Sequence, residues 1–194
     1  QPIQCALLSA DFYTGVSIIK INDIIDSGDI LMTKNCKINK HDTYTSISKK
    51  LINLGYKCLI EILSKIDYYT VNFKKQVGKN ATYTKKTGKI DQGVDWNADA
   101  FIINAKIRAF AGIKKFTVTN NNISFKIIET SVIKKKLVGN VGKIINISKY
   151  GIDVFSGKNI LRIKKIQFPG KNINTISNLL NSNKIYFKIG DILI

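Results

Sequence analysis

Three carboxylates crowd the stretch NDIIDSGDIL, residues 22–31, in a chain of 194 residues that carries 31 Lys and Arg against 13 Asp and Glu. Asp23, Asp26 and Asp29 stand three positions apart, with Gly28 between the last two. An Asp side chain bonds back to its own backbone and Gly tolerates positive φ, so three solvated turn acids explain the pattern without any chemistry. The competing reading is that one of them is held to take or orient a proton. Other reactive side chains offer less. Cys5, Cys36 and Cys58 are odd in number and match no CxxC pair, and His41 is the sole histidine, so a metal site has almost no ligands and none is expected. The thiols are read as buried, and His41 as a solvated loop residue near a helix start.

A second kind of chemistry is electrostatic. Residues 1–70 carry 8 Lys and 7 Asp or Glu, a net of +1, whereas residues 71–194 carry 23 Lys or Arg and 6 acids, a net of +17. A field of that size attracts polyanions, above all nucleic acid, through counterion release. Lys, Ile and Asn are all abundant, and compositional drift would supply lysines without any ligand, but drift alone would have made the first 70 residues equally basic. The candidate contacts come as clusters: Lys85 with Lys86, Lys114 with Lys115, Lys134 with Lys135 and Lys136, and Lys164 with Lys165. Arg108 is divided between an ion pair and a phosphate contact.

Elements must position these groups. Val16–Ile21 and Ile30–Met32 read as strands bracketing the acidic loop. Pro2 suits the first turn of a short helix, followed by a loop at Tyr13–Gly15. Asp42 or Thr43 caps a longer helix, whose apolar positions Ile47, Leu51, Leu54, Cys58 and Ile62 keep a helical period against a lysine-rich, polar back. Residues 1–70 therefore form an α/β fragment with too few strands for a complete layer, and residues 71–93, polar and aperiodic, read as a linker. From 94 to 194 the pattern changes. Asn97 can cap a helix through Phe110, strands are expected at 116–119, 123–128, 141–148, 151–156 and 160–168, and Thr175 caps a last helix before a closing KIGDILI. Short strands at this spacing predict a small barrel, so the fold class is α/β plus β-barrel, and a basic barrel of this kind is a familiar nucleic-acid module. Trp96 is expected as a core anchor between linker and barrel. Neither a membrane-length apolar run nor a signal-peptide pattern occurs, so a cytoplasmic protein without a membrane span is expected. No methionine precedes Gln1, and the chain is expected to begin partway into a longer protein.

Landmarks along the chain carry a resemblance. In order they are PIQCALLSADFYTGVSIIKINDIIDSGDIL, DTYTSISKKLINLG, YTKKTGKIDQGVDW, IRAF, IQFPGK and FKIGDILI, and together they resemble the methionyl-tRNA formyltransferase family across essentially all 194 residues. The resemblance implies the end of a Rossmann-like formyltransferase domain, a linker and an OB-like tRNA-binding domain. It implies transfer of a formyl group from 10-formyltetrahydrofolate to the methionyl amine of initiator tRNA; a monomer is expected. The family's catalytic aspartate, the first acid of its Leu-Asp-Thr-Gly-Asp segment, falls on Asp26 in IDSGD, with Gly28 and Asp29 supporting the turn.

In such a reaction the attacking amine must be neutral and lose a proton as the tetrahedral centre forms, and charge on the formyl oxygen needs a donor. The resemblance assigns the donor and an imidazole to an Asn-x-His pair upstream, together with most of the folate pocket. Asp26 is left to orient and polarise the imidazole and a water. No such pair precedes Asp26, so these residues alone are expected to be inactive. Two departures stand out: AGIKK at 111–115 replaces the family's Asn-Pro-Trp-Pro after IRAF, and Thr87-Gly88 replaces a more acidic, helical approach to DW. Two rival readings share the landmarks. One is a sugar-nucleotide or other amine formyltransferase, which would have little use for a field of +17; the other is a noncatalytic RNA-binding remnant.

Overall fold

The computed structural model describes residues 1–78, 81–84, 93–135, 139–184 and 186–194, which group into two compact units, Gln1–Thr87 and Gly88–Ile194. In the first unit, α1 (Pro2–Leu8) carries Pro in its first turn, where the missing N–H leaves no bond unmade. Strands β1 (Tyr13–Ile19) and β2 (Ile30–Lys37) pair antiparallel from Tyr13 opposite Lys37 to Ile18 opposite Met32, and a bulge after Ile18 sets Ile19 opposite Ile30. Gly15, expected in a loop, belongs to β1. A Cβ there would stand 2.7 Å from the Lys34 carbonyl, so the missing side chain is what lets the strands approach.

Helix α2 (Tyr44–Ser64) starts at Thr43, whose hydroxyl accepts the Ser46 N–H at 3.3 Å while Ser46 Oγ accepts the Thr43 N–H at 3.0 Å. The expected period holds: Ile47, Cys58 and Ile62 are buried, with Leu51 and Leu54 half-buried. Met32, Cys58 and Ile62 form a core with Ile18, Leu31, Leu54 and Tyr69, where each fully buried aliphatic side chain contributes about 1.5–3 kcal/mol. The back of α2 is not simply polar. Ile52, Tyr56, Leu59, Ile60 and Leu63 lie exposed at helical spacing, because a two-stranded hairpin covers only one stripe of the helix. A short α3 (Ile66–Val71) follows where no period was visible. The start of the polar stretch beyond it is fastened to this unit: Lys74 and Ile30 exchange backbone hydrogen bonds at 2.8 and 2.9 Å.

The second unit contains α4 (Ala100–Ala109), β3 (Phe116–Asn120), β4 (Ile123–Ile133), β5 (Ile144–Ser148), β6 (Gly151–Phe155), β7 (Ile160–Gln167), β8 (Asn174–Thr175) and α5 (Ile176–Asn181). The strands form one antiparallel sheet in the order β3-β4-β7-β6-β5, with β8 on β7. Strand β4 runs past its expected end because it serves two partners, β3 through residues 123–127 and β7 through 126–133. Ile128 on β4 and Lys164 on β7 are passed over in that pairing, so compensating bulges bend the ladder. The path ends at β3 and β5, and the C-terminal segment reaches both. Thr119 and Ile194 exchange bonds at 2.7 and 3.0 Å, and Ile144 N–H donates to the Asp191 carbonyl at 2.8 Å. These contacts occupy backbone groups that a bare edge would expose. Gly142, at φ +78° and with its Cβ position 2.5 Å from the Leu193 carbonyl, makes the turn that delays β5 to Ile144.

Phe116, Phe125, Ile127, Ile152, Leu161, Ile163 and Ile166 fill the core, α4 adds Ala100, Ile103 and Ile107, and Trp96 and Phe110 are buried beside its ends. The cap of α4 is Asp99, not Asn97. Asn97 is bound to Asp95 Oδ1 through its backbone and side-chain nitrogens at 3.0 and 3.2 Å, whereas Asp99 Oδ1 accepts the Phe101 N–H at 2.9 Å. A tertiary contact sets this start, since the Ala100 N–H is taken by the Lys158 carbonyl at 2.9 Å. AGIKK closes the helix by glycine geometry in place of proline: Gly112 takes φ +85°, and the Ile113 and Lys114 N–H groups both reach the Phe110 carbonyl at 2.9 Å. Thr175 caps α5 as expected, accepting the Asn178 N–H at 3.1 Å. Among the described residues no helix is long and apolar enough to cross a membrane.

Candidate active site and basic surface

Strands β1 and β2 deliver residues 20–29 as a hairpin loop, closed at its neck by the Lys20 N–H on the Asp29 carbonyl at 2.9 Å. Asn22 is the hub of the loop. Its Oδ1 accepts the Ile24 N–H at 3.1 Å and the Ser27 hydroxyl at 2.9 Å, and Ser27 Oγ also lies 3.0 Å from the Ile24 carbonyl. Asp26 then takes φ +58°, a left-handed conformation that Asp tolerates better than most residues with a Cβ. Gln76 Nε2 donates to the Asp26 carbonyl at 3.0 Å and to the Gly28 carbonyl at 2.6 Å. Gly28 is needed for a reason other than positive φ, which belongs to Asp26: a Cβ on Gly28 would stand 1.6 Å from the Lys20 carbonyl.

The loop's acids differ. Asp23 and Asp26 are exposed and Asp29 is half-buried, its carbonyl spent on the neck. The Asp26 carboxylate makes no hydrogen bond or ion pair among the described residues, while its carbonyl and that of Gly28 are both held. His41 is exposed at the far end of the hairpin, separated from the loop by β2, which at about 3.3 Å per residue is roughly 26 Å long. Asn39-Lys40-His41 has Asn-x-His spacing, but Asn39 donates its N–H to Asp42 Oδ2 at 2.8 Å in the turn before α2, away from Asp26. Asp42 itself serves the fold. Burial pushes its carboxyl up, but Lys50, the Asn39 N–H and the Ser46 hydroxyl together hold it below the usual carboxylate range. Of the thiols only Cys58 is buried; Cys5 and Cys36 are half-buried, at the margins of a thin unit. Among the described residues no cluster of three or more His, Cys, Asp and Glu side chains could hold a metal ion.

The structure sorts the basic candidates. Lys85, Lys86 and Lys136 lie outside the described residues. Lys164 and Lys165 both reach Glu129, at 2.5 and 2.6 Å, because the bulges in β4 and β7 turn adjacent lysines toward one carboxylate. Burial raises the Glu129 carboxyl, and the two lysines outweigh it and hold it below its ordinary range. Lys115 Nζ donates to Gln167 Oε1 at 2.6 Å, so Lys115, Lys164 and Lys165 share the neighbourhood of β7. Lys134 stands over the Phe101 ring at 5.8 Å, Lys135 is exposed and Lys114 is half-buried. Arg108 is half-buried in the last turn of α4, where a cation complements the helix dipole. Sequence reasoning missed Arg162 as a structural residue. Its Nε and Nη2 clamp the Asp153 carboxylate at 2.6 and 2.8 Å, and Asn146 Nδ2 adds a third bond at 3.1 Å. The signal was an acid inside the apolar strand GIDVF, which needs a buried cation nearby.

The fold of these two units has counterparts among solved proteins. HypX from Aquifex aeolicus in complex with tetrahydrofolic acid matches with a TM-score of 0.67 at 14% identity, over 96% of this chain and 33% of that one. The methionyl-tRNA formyltransferase from Clostridium thermocellum matches with a TM-score of 0.53 at 18% identity, over 80% of this chain and 62% of that one. At those identities the likeness is one of fold. The sequence models described as "Formyl transferase" and "Formyl transferase, C-terminal domain" match residues 1–63 and 86–184. The chain belongs to the formyl transferase family of enzymes. It is 42% identical over 193 residues to the methionyl-tRNA formyltransferase of Buchnera aphidicola subsp. Acyrthosiphon pisum, covering 99% of this chain and 62% of that relative's length.

Proposed function

We propose that the protein containing this chain is a monomeric cytoplasmic enzyme that transfers a formyl group from 10-formyltetrahydrofolate to the methionyl amine of initiator tRNA. Residues 1–70 end a Rossmann-like catalytic domain, 71–93 form a linker, and 94–194 form an OB-like domain that binds the tRNA. The name of the 42%-identical relative supports the substrate, and the net charge of +17 beyond residue 70 supports a polyanion. The bonds from residues 191 and 194 to β5 and β3 support the barrel-like reading.

The observation that carries the catalytic assignment is the Asp26 turn, with its carbonyl held and its carboxylate without a hydrogen bond or ion pair among the described residues. The amine nitrogen attacks the formyl carbon and gives up a proton, charge gathers on the formyl oxygen, and the bond to the folate nitrogen breaks as that nitrogen takes a proton back. Asp26 works at the proton end, orienting an imidazole and a water, while Gly28 and Asp29 hold the turn. The test compares Asp26→Asn with Asp23→Asn and Asp29→Asn in the complete protein, measuring formylation of methionyl-tRNA at saturating donor alongside tRNA binding. Asp26→Asn lowers turnover by about 10²-fold to 10⁴-fold with tRNA affinity kept. Near-normal turnover, or a defect confined to tRNA binding, returns Asp26 to the solvated-turn reading.

A further inference from the structure

We infer that Gln76 is a positioning residue for Asp26, an inference that rests on reading Asp26 as the acid of the site. One side-chain amide reaches back across the chain and donates to the carbonyls of Asp26 and Gly28, at 3.0 and 2.6 Å. An amide nitrogen carries two hydrogens, so Gln76 staples two carbonyls that straddle Ser27. The staple is itself anchored, since Lys74, two residues earlier, exchanges both of its backbone bonds with Ile30 at the start of β2. The neck, the staple and the first residue of β2 therefore form one rigid frame around a ten-residue loop.

Asp26 needs such a frame. At φ +58° its backbone is in a left-handed region that costs a residue with a Cβ free energy, less for Asp than for most, so bonds from the surroundings help to keep it there. The Asn22 and Ser27 bonds shape the loop before Asp26, but the carbonyls of Asp26 and Gly28 are held by Gln76. Without it the peptide after Asp26 can rotate and carry the Cα–Cβ direction with it. Displacement of a reacting group by about 1 Å costs up to about 10²-fold in rate, whereas the exposed Gln76 covers no core whose loss would unfold the unit.

The test is a double-mutant cycle in the complete protein, with Gln76→Met, Asp26→Asn and the pair. Methionine keeps the length of the side chain and removes both donors. Gln76→Met is expected to lower kcat for methionyl-tRNA formylation about 10-fold with KM for the tRNA and the melting temperature unchanged, and to add less than about twofold once Asp26 is Asn. Normal kcat for Gln76→Met beside an impaired Asp26→Asn overturns the role of Gln76 alone. An equal loss from Gln76→Met in both backgrounds also overturns it, because the side chain then acts on something other than Asp26. An unimpaired Asp26→Asn overturns the reading beneath it, and this outcome is distinct from the other two. Gln76→Glu gives a second check: it keeps the size, replaces the donors by a carboxylate facing two carbonyls, and is expected to fall at least as far as Gln76→Met.

Discussion

Asp26 and Asp153 both sit within apolar sequence, IIDSG and GIDVF, and they end in opposite states. On β6, Asp153 is 5% exposed and both its oxygens are taken, by the Arg162 fork and by Asn146. On the hairpin loop, Asp26 is exposed, its oxygens have no partner among the described residues, and it is the main chain that is bound. A carboxylate that serves the fold spends its acceptors on the fold. One that serves a reaction must keep them, so the constraint moves to the backbone. Asp42 falls with Asp153, its oxygens divided among Lys50, Ser46 and the Asn39 N–H.

The comparison breaks most visibly at Arg162. Arg162→Met strands Asp153 as a buried, unpaired charge, and about 3–5 kcal/mol of stability is expected to go, read from denaturant unfolding. Asp26→Asn in the same assay is expected to stay within about 0.5 kcal/mol of the parent. The double change Asp153→Leu with Arg162→Met should lose less than Arg162→Met alone, since no orphaned charge is left. A parental midpoint for Arg162→Met would mean that water reaches Asp153 and that the two acids are not opposites.

Gly28→Ala sharpens the other side. Its Cβ would collide with the Lys20 carbonyl, and backbone cannot step aside as a flexible side-chain end can. A loss of about 1–3 kcal/mol is expected in thermal unfolding, with the neck bond from Lys20 to Asp29 opened and faster amide exchange at Lys20. Unchanged exchange there would show that the neck does not close as tightly as its geometry requires.

Acid separates the structural carboxylates by another route. Asp42 and Glu129 are both held below their ordinary range in the folded state, so each contributes stability that is present above the unfolded pKa and is lost as pH falls through the folded one. Lys50→Met removes the cation beside Asp42. The stability gap between parent and Lys50→Met is therefore expected to be widest near neutrality, under about 1 kcal/mol for so exposed a lysine, and to narrow as pH drops below the carboxylate range. A gap that widens in acid would reverse the sign and sink the assignment.

Much of this was legible wherever local chemistry decides. The period from Ile47 to Ile62 announced α2, Thr175 announced α5, and runs of β-branched residues located β3 to β7. Partners distant in sequence were not legible. Gln76 lies in a polar stretch that reads as linker, and nothing local marks it as the clamp on a loop fifty residues earlier. Asp99 won the cap over Asn97 because Lys158, from another turn, fixes where the helix starts. The exposed apolar stripe of α2 was hidden by the polar residues between its members, Asn53, Lys57 and Glu61. The acid at Asp26 was visible as a type and a spacing; its left-handed backbone was not, because glycine is the residue type that tolerates positive φ most freely.

The smallest expected effect concerns cations that an acid already faces. Lys164 and Lys165 are among the 23 basic residues of 71–194, and the single Glu129 carboxylate holds both, as Asp153 holds Arg162. Because the Glu129 pair is partly exposed, breaking it is expected to change stability by no more than about 1 kcal/mol, unlike the buried pair. Its effect on nucleic acid is the more informative one. If the second unit binds tRNA through phosphates, Glu129→Gln frees two lysines, and affinity is expected to rise a few-fold with the logarithmic salt slope steeper by at most about 1.8, since each phosphate neutralised adds about 0.7–0.9. Replacing Lys164 and Lys165 by Ala should cancel that gain in the Glu129→Gln protein and cost less affinity in the parent, where the Glu129 carboxylate already offsets one of the two charges. Titration of tRNA at several salt concentrations reads all four proteins. A loss in the parent as large as in the Glu129→Gln protein would show that phosphate outcompetes Glu129 for the lysines, and the carboxylate would then be a gate that RNA opens instead of a sink that hides charge from it.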